Sequence, residues 1–314
     1  MPIMYSFIAA LIPAVGYSLF IWKMDKYDRE PLSQIIIHFI WGALGATILS
    51  IIFSPILLFP FTLVSSNTKI INLISTVLIA PGVEEFFKGL FLIYSINNKK
   101  FDNLTDGLVY GGAIGLGFGM TENFLYFITY GDTLNSWATL VVIRSGFSAV
   151  THLLSTASFG AMLGLAKFSS KFFKYTLPIV GFSLAIFIHA VWNFSVSFEF
   201  TYLFGFLFII ISLIVFLVIF NLSLRSEINL ILAELTEESE SGLIPLEHLT
   251  LIASKNIFSK KWIKNNIRNN YTKSLVSLAF RKAQLKNSTG KKKEYIENEL
   301  MLLRSYIENI NRDL

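Results

Sequence analysis

The sequence contains no cysteine and few charged residues. The absence of cysteine among the 314 residues excludes disulfide bonds, thiolate metal ligands and a cysteine nucleophile. Charged residues make up 15% of the chain, hydrophobic residues make up 54%, and the mean hydropathy is +0.60. A soluble domain has about 25% charged residues. The composition therefore predicts an all-α polytopic membrane protein, a transmembrane helical bundle.

Several motifs of known enzyme classes are also missing. The chain has no His-Glu-x-x-His, the motif of many zinc proteases, and no Gly-x-Gly-Asp within an apolar stretch, as an aspartyl intramembrane protease would need. A serine mechanism through Ser148, one turn before His152, lacks a carboxylate on that helix to orient the histidine. No motif indicates nucleic-acid binding, so we expect no nucleic-acid partner.

Seven apolar stretches are long enough to cross a hydrocarbon core of ~30 Å, which takes about 20 helical residues. They lie at residues 3–22, 34–60, 70–96, 106–129, 137–166, 175–197 and 201–223. No Lys or Arg precedes the first stretch, whereas Lys23, Lys26 and Arg29 follow it directly. The positive-inside rule therefore predicts a retained first span with its N-terminus outside, and a cytoplasmic C-terminus.

Residues 224–314 differ in kind from the chain before them. An acidic amphipathic stretch at 226–240 precedes a basic region at 260–312 with apolar residues at helix spacing. We interpret this part as a small cytoplasmic helical tail that follows a membrane domain at residues 1–223. The basic run at 291–293 could contact anionic lipid head groups, and a solvated face is the alternative interpretation.

Ionisable side chains lie near the middle of four successive predicted spans. They are Glu84, Glu85, Glu122, His152 and His189. A charged side chain at the bilayer centre costs at least ~2.5 kcal/mol. Five such residues at one depth therefore predict a buried reaction or transport site.

The third span carries the two adjacent glutamates directly after Pro81-Gly82. We expect this Pro-Gly pair to break the helix, so that a half-helix begins near Glu84 and its N-terminus favours negative charge. Lys88 lies one turn from both glutamates. Because adjacent helical residues point about 100° apart, we expect one glutamate to do chemistry and the other to pair with Lys88 or a neighbouring helix. A buried Glu-Lys pair that only fixes helix packing is the alternative.

The fourth span has glycines at strict four-residue spacing. They are Gly107, Gly111, Gly115 and Gly119. Glycines at this spacing predict close approach of another helix backbone. Glu122 follows on the same helix without a cation within one turn, so it must be protonated, paired across helices or functional.

The fifth and sixth spans supply four further polar side chains. Arg144 lies nearer the outer surface, where we expect it to neutralise one of the glutamates. His152 lies at the centre, and its depth favours a role in the site over simple packing. His189 and Asn193 are four residues apart on one helical face, where they could hold an oxyanion, ligate a metal or bind another helix.

As a set, these motifs resemble the PrsW family of bacterial intramembrane proteases. The matching motifs are Glu84-Glu85-x-x-Lys88, Phe118-x-x-x-Glu122, the central His152 and His189-x-x-x-Asn193, with Asp25 to Pro31 also similar. The resemblance covers residues 1 to about 223. PrsW proteins are related to the CAAX prenyl endopeptidases and the CPBP membrane proteins, in which a glutamate and a histidine activate water and a His/Asn pair stabilises the oxyanion.

The resemblance implies a glutamate-type intramembrane peptidase that uses no cofactor. Its candidate catalytic residues are Glu84, Glu85, Glu122, His152, His189 and Asn193, with Lys88 and Arg144 in support. By position, Glu84 or Glu85 would be the general base, and His189 with Asn193 would donate to the oxyanion. The prenyl endopeptidases have a histidine where this chain has Glu122, which leaves open whether Glu122 or His152 polarises water.

The family likeness also implies a substrate and a location. The substrate would be a single-span membrane protein, typically an anti-sigma factor, and the protein would lie in the lipid bilayer of the bacterial cytoplasmic membrane. Two alternatives remain from the residues themselves. A metal-dependent hydrolase could bind zinc through His152, His189 and Glu85. A proton-coupled transporter or channel could use the same midplane groups, although such proteins usually contain internal repeats. The sequence predicts no oligomeric state.

Overall fold

The computed structural model describes residues 2–98, 101, 103–167, 169–253, 265–286 and 288–312. These residues form helices and no strand, which confirms the predicted all-α class. The helices are α1 Ile3–Met24, α2 Leu32–Val64, α3 Thr68–Ser95, α4 Leu104–Tyr130, α5 Leu134–Lys167, α6 Lys171–Ser195, α7 Tyr202–Glu240, α8 Leu246–Ala253, α9 Asn265–Lys286 and α10 Gly290–Arg312.

Six helical stretches of the described chain are long and apolar enough to cross a membrane. They contain α1, α2, α3, α5, α6 and α7, and the fourth predicted span, α4, is not among them. Helix α4 is rich in glycine, and the stretch from Thr105 to Gly119 is buried against protein. A helix surrounded by other helices does not need an apolar surface for lipid, which explains the difference. The membrane bundle is confirmed, while the number of spans and the side of each terminus stay predictions.

The chain divides into two compact units. We call residues Met1–Asp25 and Arg29–Phe220 the membrane unit, and residues Lys26–Asp28 and Asn221–Leu314 the tail unit. The boundary predicted at residue 223 falls inside α7.

Glycines of α4 allow two neighbouring helices to touch its backbone. A Cβ atom on Gly107 would lie 2.0 Å from the carbonyl oxygen of Gly160, and one on Gly115 would lie 2.1 Å from that of His152, both on α5. On the other side of α4, a Cβ atom on Gly117 would lie 2.0 Å from the Phe39 carbonyl oxygen of α2. The predicted close helix approach is therefore confirmed, and it brings α5 and its histidine against α4.

Three helices of the membrane unit contain a π-helical segment. These segments are Trp41–Ala46 in α2, Ser75–Ile79 in α3 and Arg144–Ser148 in α5. A π segment interrupts the regular backbone ladder and is frequent at functional sites. In each case a side chain from another helix donates to a carbonyl oxygen of the segment. The bonds are Thr121 Oγ1 to Ala43 at 2.8 Å, Asn193 Nδ2 to Thr76 at 2.9 Å and Asn123 Nδ2 to Arg144 at 3.2 Å.

The helix break expected at Pro81-Gly82 is wrong. Helix α3 continues through both residues, and the irregularity lies just before them, in the π segment Ser75–Ile79. The Ala80 amide bonds the Ser75 carbonyl, and Pro81 has no N–H for the next carbonyl, that of Thr76. Glu84 therefore lies inside a helix and gains nothing from a helix N-terminus.

The tail unit has its own apolar core. It is formed by large side chains of α7 to α10, among them Ile231, Leu235, Tyr271, Leu275 and Leu300. Gly242 lies two residues after the end of α7 and has a φ of 83°, a conformation that side chains rarely allow. The run at 291–293 is exposed, while the predicted basic region begins at 260, outside the described residues.

Candidate active site

Glu85 is the fully engaged carboxylate of the predicted site. It is buried, and Lys88 Nζ lies 2.6 Å from its Oε1, the ion pair expected for one of the two glutamates. The hydroxyls of Ser155 and Thr156 each donate to it at 3.0 Å. His189 Nδ1 lies 2.9 Å from Oε1 and donates its proton there. Glu85 therefore fixes the orientation of His189 and leaves the Nε2 lone pair of that ring available.

His152 is held at both ring nitrogens. Lys88 Nζ lies 3.1 Å from Nδ1, and because an ammonium group only donates, Nδ1 accepts. The proton is then on Nε2, which lies 2.8 Å from Glu122 Oε2. Lys88 also lies over the Phe118 ring, 4.3 Å from its centroid. The partners of His152 thus assign the neutral tautomer with the proton on Nε2.

Arg144 pairs with Glu122 across helices, as expected for a cation that neutralises one of the glutamates. Its Nη2 lies 2.6 Å from the same Glu122 oxygen that His152 contacts. Its Nε donates to Asn123 Oδ1 at 3.0 Å, and its guanidinium lies 3.5 Å from the Tyr126 ring centroid. Glu122 is therefore paired rather than isolated. Sequence reasoning did not single out Asn123 and Tyr126, although an asparagine beside a midplane glutamate was a signal.

Glu84 differs from Glu85 and Glu122 because the described residues make no hydrogen bond to its carboxylate, whereas each of the other two accepts at least two. Its Oε2 is buried and has no hydrogen-bond partner. The nearest basic atoms are His189 Nε2 at 3.8 Å and Lys88 Nζ at 4.0 Å. These distances are too long for hydrogen bonds. An open carboxylate oxygen and an open imidazole lone pair therefore face each other in the site.

Asn193 lies apart from this cluster. Its Nδ2 donates to the Thr76 carbonyl oxygen of the α3 π segment at 2.9 Å. This bond links α6 to α3 one turn beyond His189. The oxyanion role expected for Asn193 stays a prediction, and the bond to Thr76 uses one of the two N–H groups of its side-chain amide.

The cluster contains a donor set that fits a metal ion. Glu84, His152 and His189 each offer a ligand atom, and these atoms lie within 4.8 Å of one another. Two histidines and a carboxylate are a common set for catalytic zinc. The sequence alternative named Glu85, but its oxygens are engaged and Glu84 is the open carboxylate. The contact of Glu85 with His189 Nδ1 is the usual support of a metal-binding histidine. His152 would have to give up one of its two bonds to join.

Access to the cluster is uneven. The exposed fractions of the side chains are 24% for Glu122, 12% for Arg144 and 11% for Glu84, and 3% or less for Lys88, Glu85, His152 and His189. The first three residues therefore form the partly exposed side of the cluster, which we call its mouth, and the other four form its closed interior.

Comparison with known proteins agrees with the motifs. Residues 30–222, more than half of the chain, match the model of a family described as "PrsW family intramembrane metalloprotease". Several curated relatives carry the name Protease PrsW, and three of them illustrate the likeness. The Oceanobacillus iheyensis protein is 32% identical over 189 residues, 59% of this chain and 80% of the relative.

The other two relatives have similar coverage. The Geobacillus kaustophilus protein is 29% identical over 192 residues, 60% of this chain and 79% of the relative. The Clostridioides difficile protein is 28% identical over 196 residues, 62% of this chain and 80% of the relative. No solved structure matches the chain.

Proposed function

Because the chain belongs to the PrsW family of intramembrane proteases, we propose that it hydrolyses a peptide bond in or near the membrane span of a substrate protein, with Glu84 as general base. One observation carries this assignment of the base. Glu84 Oε2 lacks a hydrogen bond and lies 3.8 Å from His189 Nε2, whereas the carboxylates of Glu85 and Glu122 are engaged.

The two open atoms are both acceptors, so a water molecule between them would donate one proton to each. The lone pairs of that water are then free to attack a carbonyl carbon. As the new C–O bond forms, the water proton moves to Glu84 and negative charge develops on the carbonyl oxygen. Glu84 then returns the proton to the leaving nitrogen as the C–N bond breaks.

The buried residues keep this arrangement in place. Glu85 holds His189 through Nδ1, and Lys88 neutralises Glu85 at 2.6 Å. Glu122 holds His152 at Nε2. Residues held by several partners lose little freedom when the reaction begins, which favours catalysis by positioning.

The geometry favours the metal-independent, glutamate-type form of this reaction. The Lys88 ammonium lies inside the donor cluster, 3.1 Å from His152 Nδ1 and 4.0 Å from Glu84 Oε2. A divalent cation bound there would be repelled by this charge. Both ring nitrogens of His152 are also bonded to protein groups already.

A metal-dependent form is the second candidate. It is favoured by the clustering of Glu84, His152 and His189 within 4.8 Å and by the description of the family as metalloproteases. These three residues would hold the ion, and Glu85 would orient His189. Zinc supplies a Lewis acid that activates water and polarises a carbonyl group.

The proposed substrate is a single-span membrane protein. A helix shields its own peptide bonds, so the substrate has to unwind where it meets Glu84. The PrsW likeness supports an anti-sigma factor as the substrate class, and membership of a protease family supports hydrolysis over the transporter alternative.

The test compares purified full-length wild type with Glu84→Gln in detergent, on fluorescently tagged single-span proteins that include anti-sigma factors. We expect the cleavage rate to fall by roughly 10²- to 10⁴-fold in Glu84→Gln, because glutamine cannot accept the water proton. Glu199→Gln removes an exposed carboxylate of the membrane unit and serves as the matched control.

A chelator separates the two forms of the reaction. Unchanged cleavage in chelator, with less than stoichiometric zinc in the purified protein, supports the metal-independent form. Cleavage that chelator abolishes and zinc restores supports the metal form. Folded wild type that cleaves none of the probes contradicts the proposed function.

A further inference from the structure

The mouth of the site contains one hydrogen-bond donor side chain among its three polar residues. Glu84 and Glu122 are carboxylates, which accept hydrogen bonds from water or peptide N–H groups. Arg144 carries five N–H donors and no acceptor. Among these three residues, Arg144 is therefore the one that can donate a hydrogen bond to a substrate carbonyl oxygen.

The guanidinium of Arg144 is held rigidly. Glu122 accepts a hydrogen bond from Nη2 at 2.6 Å, and Asn123 accepts one from Nε at 3.0 Å. The centroid of the Tyr126 ring lies 3.5 Å from the guanidinium carbon. The Asn123 amide also donates to the Arg144 backbone carbonyl, in the π segment. Contacts to the side chain and to the backbone thus fix both ends of this residue, as preorganised stabilisation of a transition state requires.

One edge of the same guanidinium is free. Within the part of the chain that the structure describes, Arg144 donates from Nε and Nη2, which leaves the two N–H groups of Nη1 without a protein acceptor. Glu122 uses Nη2 and Asn123 uses Nε, so neither contact accounts for the third nitrogen, Nη1. Nη2 and His152 Nε2 contact the same Glu122 oxygen, which places the guanidinium directly beside the cluster.

We propose that Arg144 binds the carbonyl oxygen of the scissile peptide bond through Nη1 and stabilises the oxyanion that forms on it. This assignment rests on the proposed hydrolysis by Glu84. Two residues of the mouth then have different roles. Glu84 accepts the proton of the attacking water, and Arg144 stabilises the negative charge that develops on the substrate carbonyl oxygen.

The assignment also accounts for Asn193, the donor expected from the motif. Asn193 bonds the Thr76 carbonyl at 2.9 Å and so braces α6 against α3. It acts as a positioning residue for His189, which lies one turn away. The oxyanion role then falls to a residue whose free donors lie at the mouth.

The experiment measures kcat and KM for wild type, Arg144→Lys and Arg144→Ala with a tagged single-span substrate that wild type cleaves. Arg144→Lys keeps a positive charge beside Glu122 but replaces the three guanidinium nitrogens with one, so Nη1 is lost while the charge pairing is kept. We expect kcat to fall about 100-fold, with KM within about threefold, because the lost contact acts on the transition state. Added ethylguanidinium should restore kcat of Arg144→Ala at least about tenfold, and ethylammonium should not.

Lys69→Ala, which removes an exposed cation of the membrane unit, is the matched control. Wild-type kcat in Arg144→Lys overturns the assignment, as does equal rescue by both added cations. A raised KM with unchanged kcat would also overturn it, because Arg144 would then bind the substrate and the transition state equally well and would not stabilise the oxyanion in particular. In each of these results wild type still cleaves, so the proposed function stands. If folded wild type cleaves no substrate, it is the proposed function that fails.

Discussion

The membrane unit and the tail unit are both helical, yet different residues hold their helices together. In the membrane unit, Gly107 and Gly115 let the backbones of α4 and α5 touch. In the tail unit, large side chains such as Ile231, Leu235 and Tyr271 fill a common core. Lipid tails are as apolar as leucine, so helices in a bilayer gain from close contact more than from burial of apolar area. A bundle in water gains chiefly from that burial.

The two units also use their charges differently. In the tail unit, Glu237 lies 2.9 Å from Lys282, and Glu238 lies 2.6 Å from Arg304. In the membrane unit, one oxygen of Glu84 has no bond, and its nearest cation is 4.0 Å away. Carboxylates paired with a cation, as in the tail unit, link the helices of a fold.

Glu234 of the tail also has one buried oxygen without a hydrogen bond, but its other oxygen lies 2.5 Å from Lys286, a close pairing that Glu84 does not have. This difference is the reason for proposing Glu84 as the general base.

The largest loss of stability is expected from Lys88→Met. This lysine is fully buried and serves both Glu85 and His152. Its removal leaves a buried carboxylate without its cation, which should lower the free energy of unfolding by about 3–5 kcal/mol. Unfolding of the detergent-solubilised protein measures this loss. Lys286→Met in the tail, where the side chain is 62% exposed, should lower the free energy of unfolding far less. Equal losses in the two variants would show that the buried lysine of the membrane unit contributes no more stability than the exposed lysine of the tail.

A second prediction tests the glycine contact of α4. Gly115→Ala places a Cβ atom 2.1 Å from the His152 carbonyl oxygen, so α5 must move. We expect a loss of about 1–3 kcal/mol together with slower cleavage, since His152 moves with its helix. Gly112→Ala is the matched control on the same helix, because its Cβ atom would meet only ordinary contacts at 3.5 Å or more. Equal melting temperatures of the two variants would contradict the prediction.

A third, smaller effect is expected in the tail and depends on pH. Burial raises the pKa of Glu238, but hydrogen bonds from Arg304 and Lys282 outweigh it and hold this pKa below its usual value. A lowered carboxylate pKa stabilises the fold above the unfolded value of about 4.3 and loses that contribution as the pH falls below it. Glu238→Gln should therefore cost roughly 1–2 kcal/mol at pH 7.

The temperature at which the tail becomes sensitive to protease measures this effect. The difference between wild type and Glu238→Gln should shrink as the pH is lowered through the carboxylate range. Cleavage of a membrane substrate at pH 7 should not change. A difference that is the same at every pH would show that the bonds from Arg304 and Lys282 do not depend on the charge of Glu238.

The smallest effect is expected for Glu237→Gln. Its side chain is 67% exposed, and a hydrogen bond from Lys282 lowers its pKa. Solvent screens an exposed pair of this kind, so we expect no measurable change in the same protease-sensitivity assay. A loss of stability as large as that of Glu238→Gln would show that the burial of a carboxylate does not decide how much its ion pair contributes.

Local patterns were sufficient for much of the membrane unit. The predicted stretch at 70–96 corresponds to α3, Thr68–Ser95, because apolar length is a local property. The four-residue glycine spacing predicted the contact of α4 with α5. The wrong expectation was the break at Pro81-Gly82. A proline removes one hydrogen bond, and the sequence does not show that a π segment and the amide of Asn193 will compensate for it.

The sequence by itself determined that the chain crosses a membrane as helices and that its ionisable residues share one depth, because hydropathy and helical spacing act over a few residues. The proposed choice of Glu84 over Glu85 as general base rests on the tertiary structure. Ser155, Thr156 and His189 lie 70 to 104 residues beyond Glu85 and occupy its oxygens. Which of two adjacent carboxylates stays open depends on which face of α3 the other helices cover, and no local pattern contains that information.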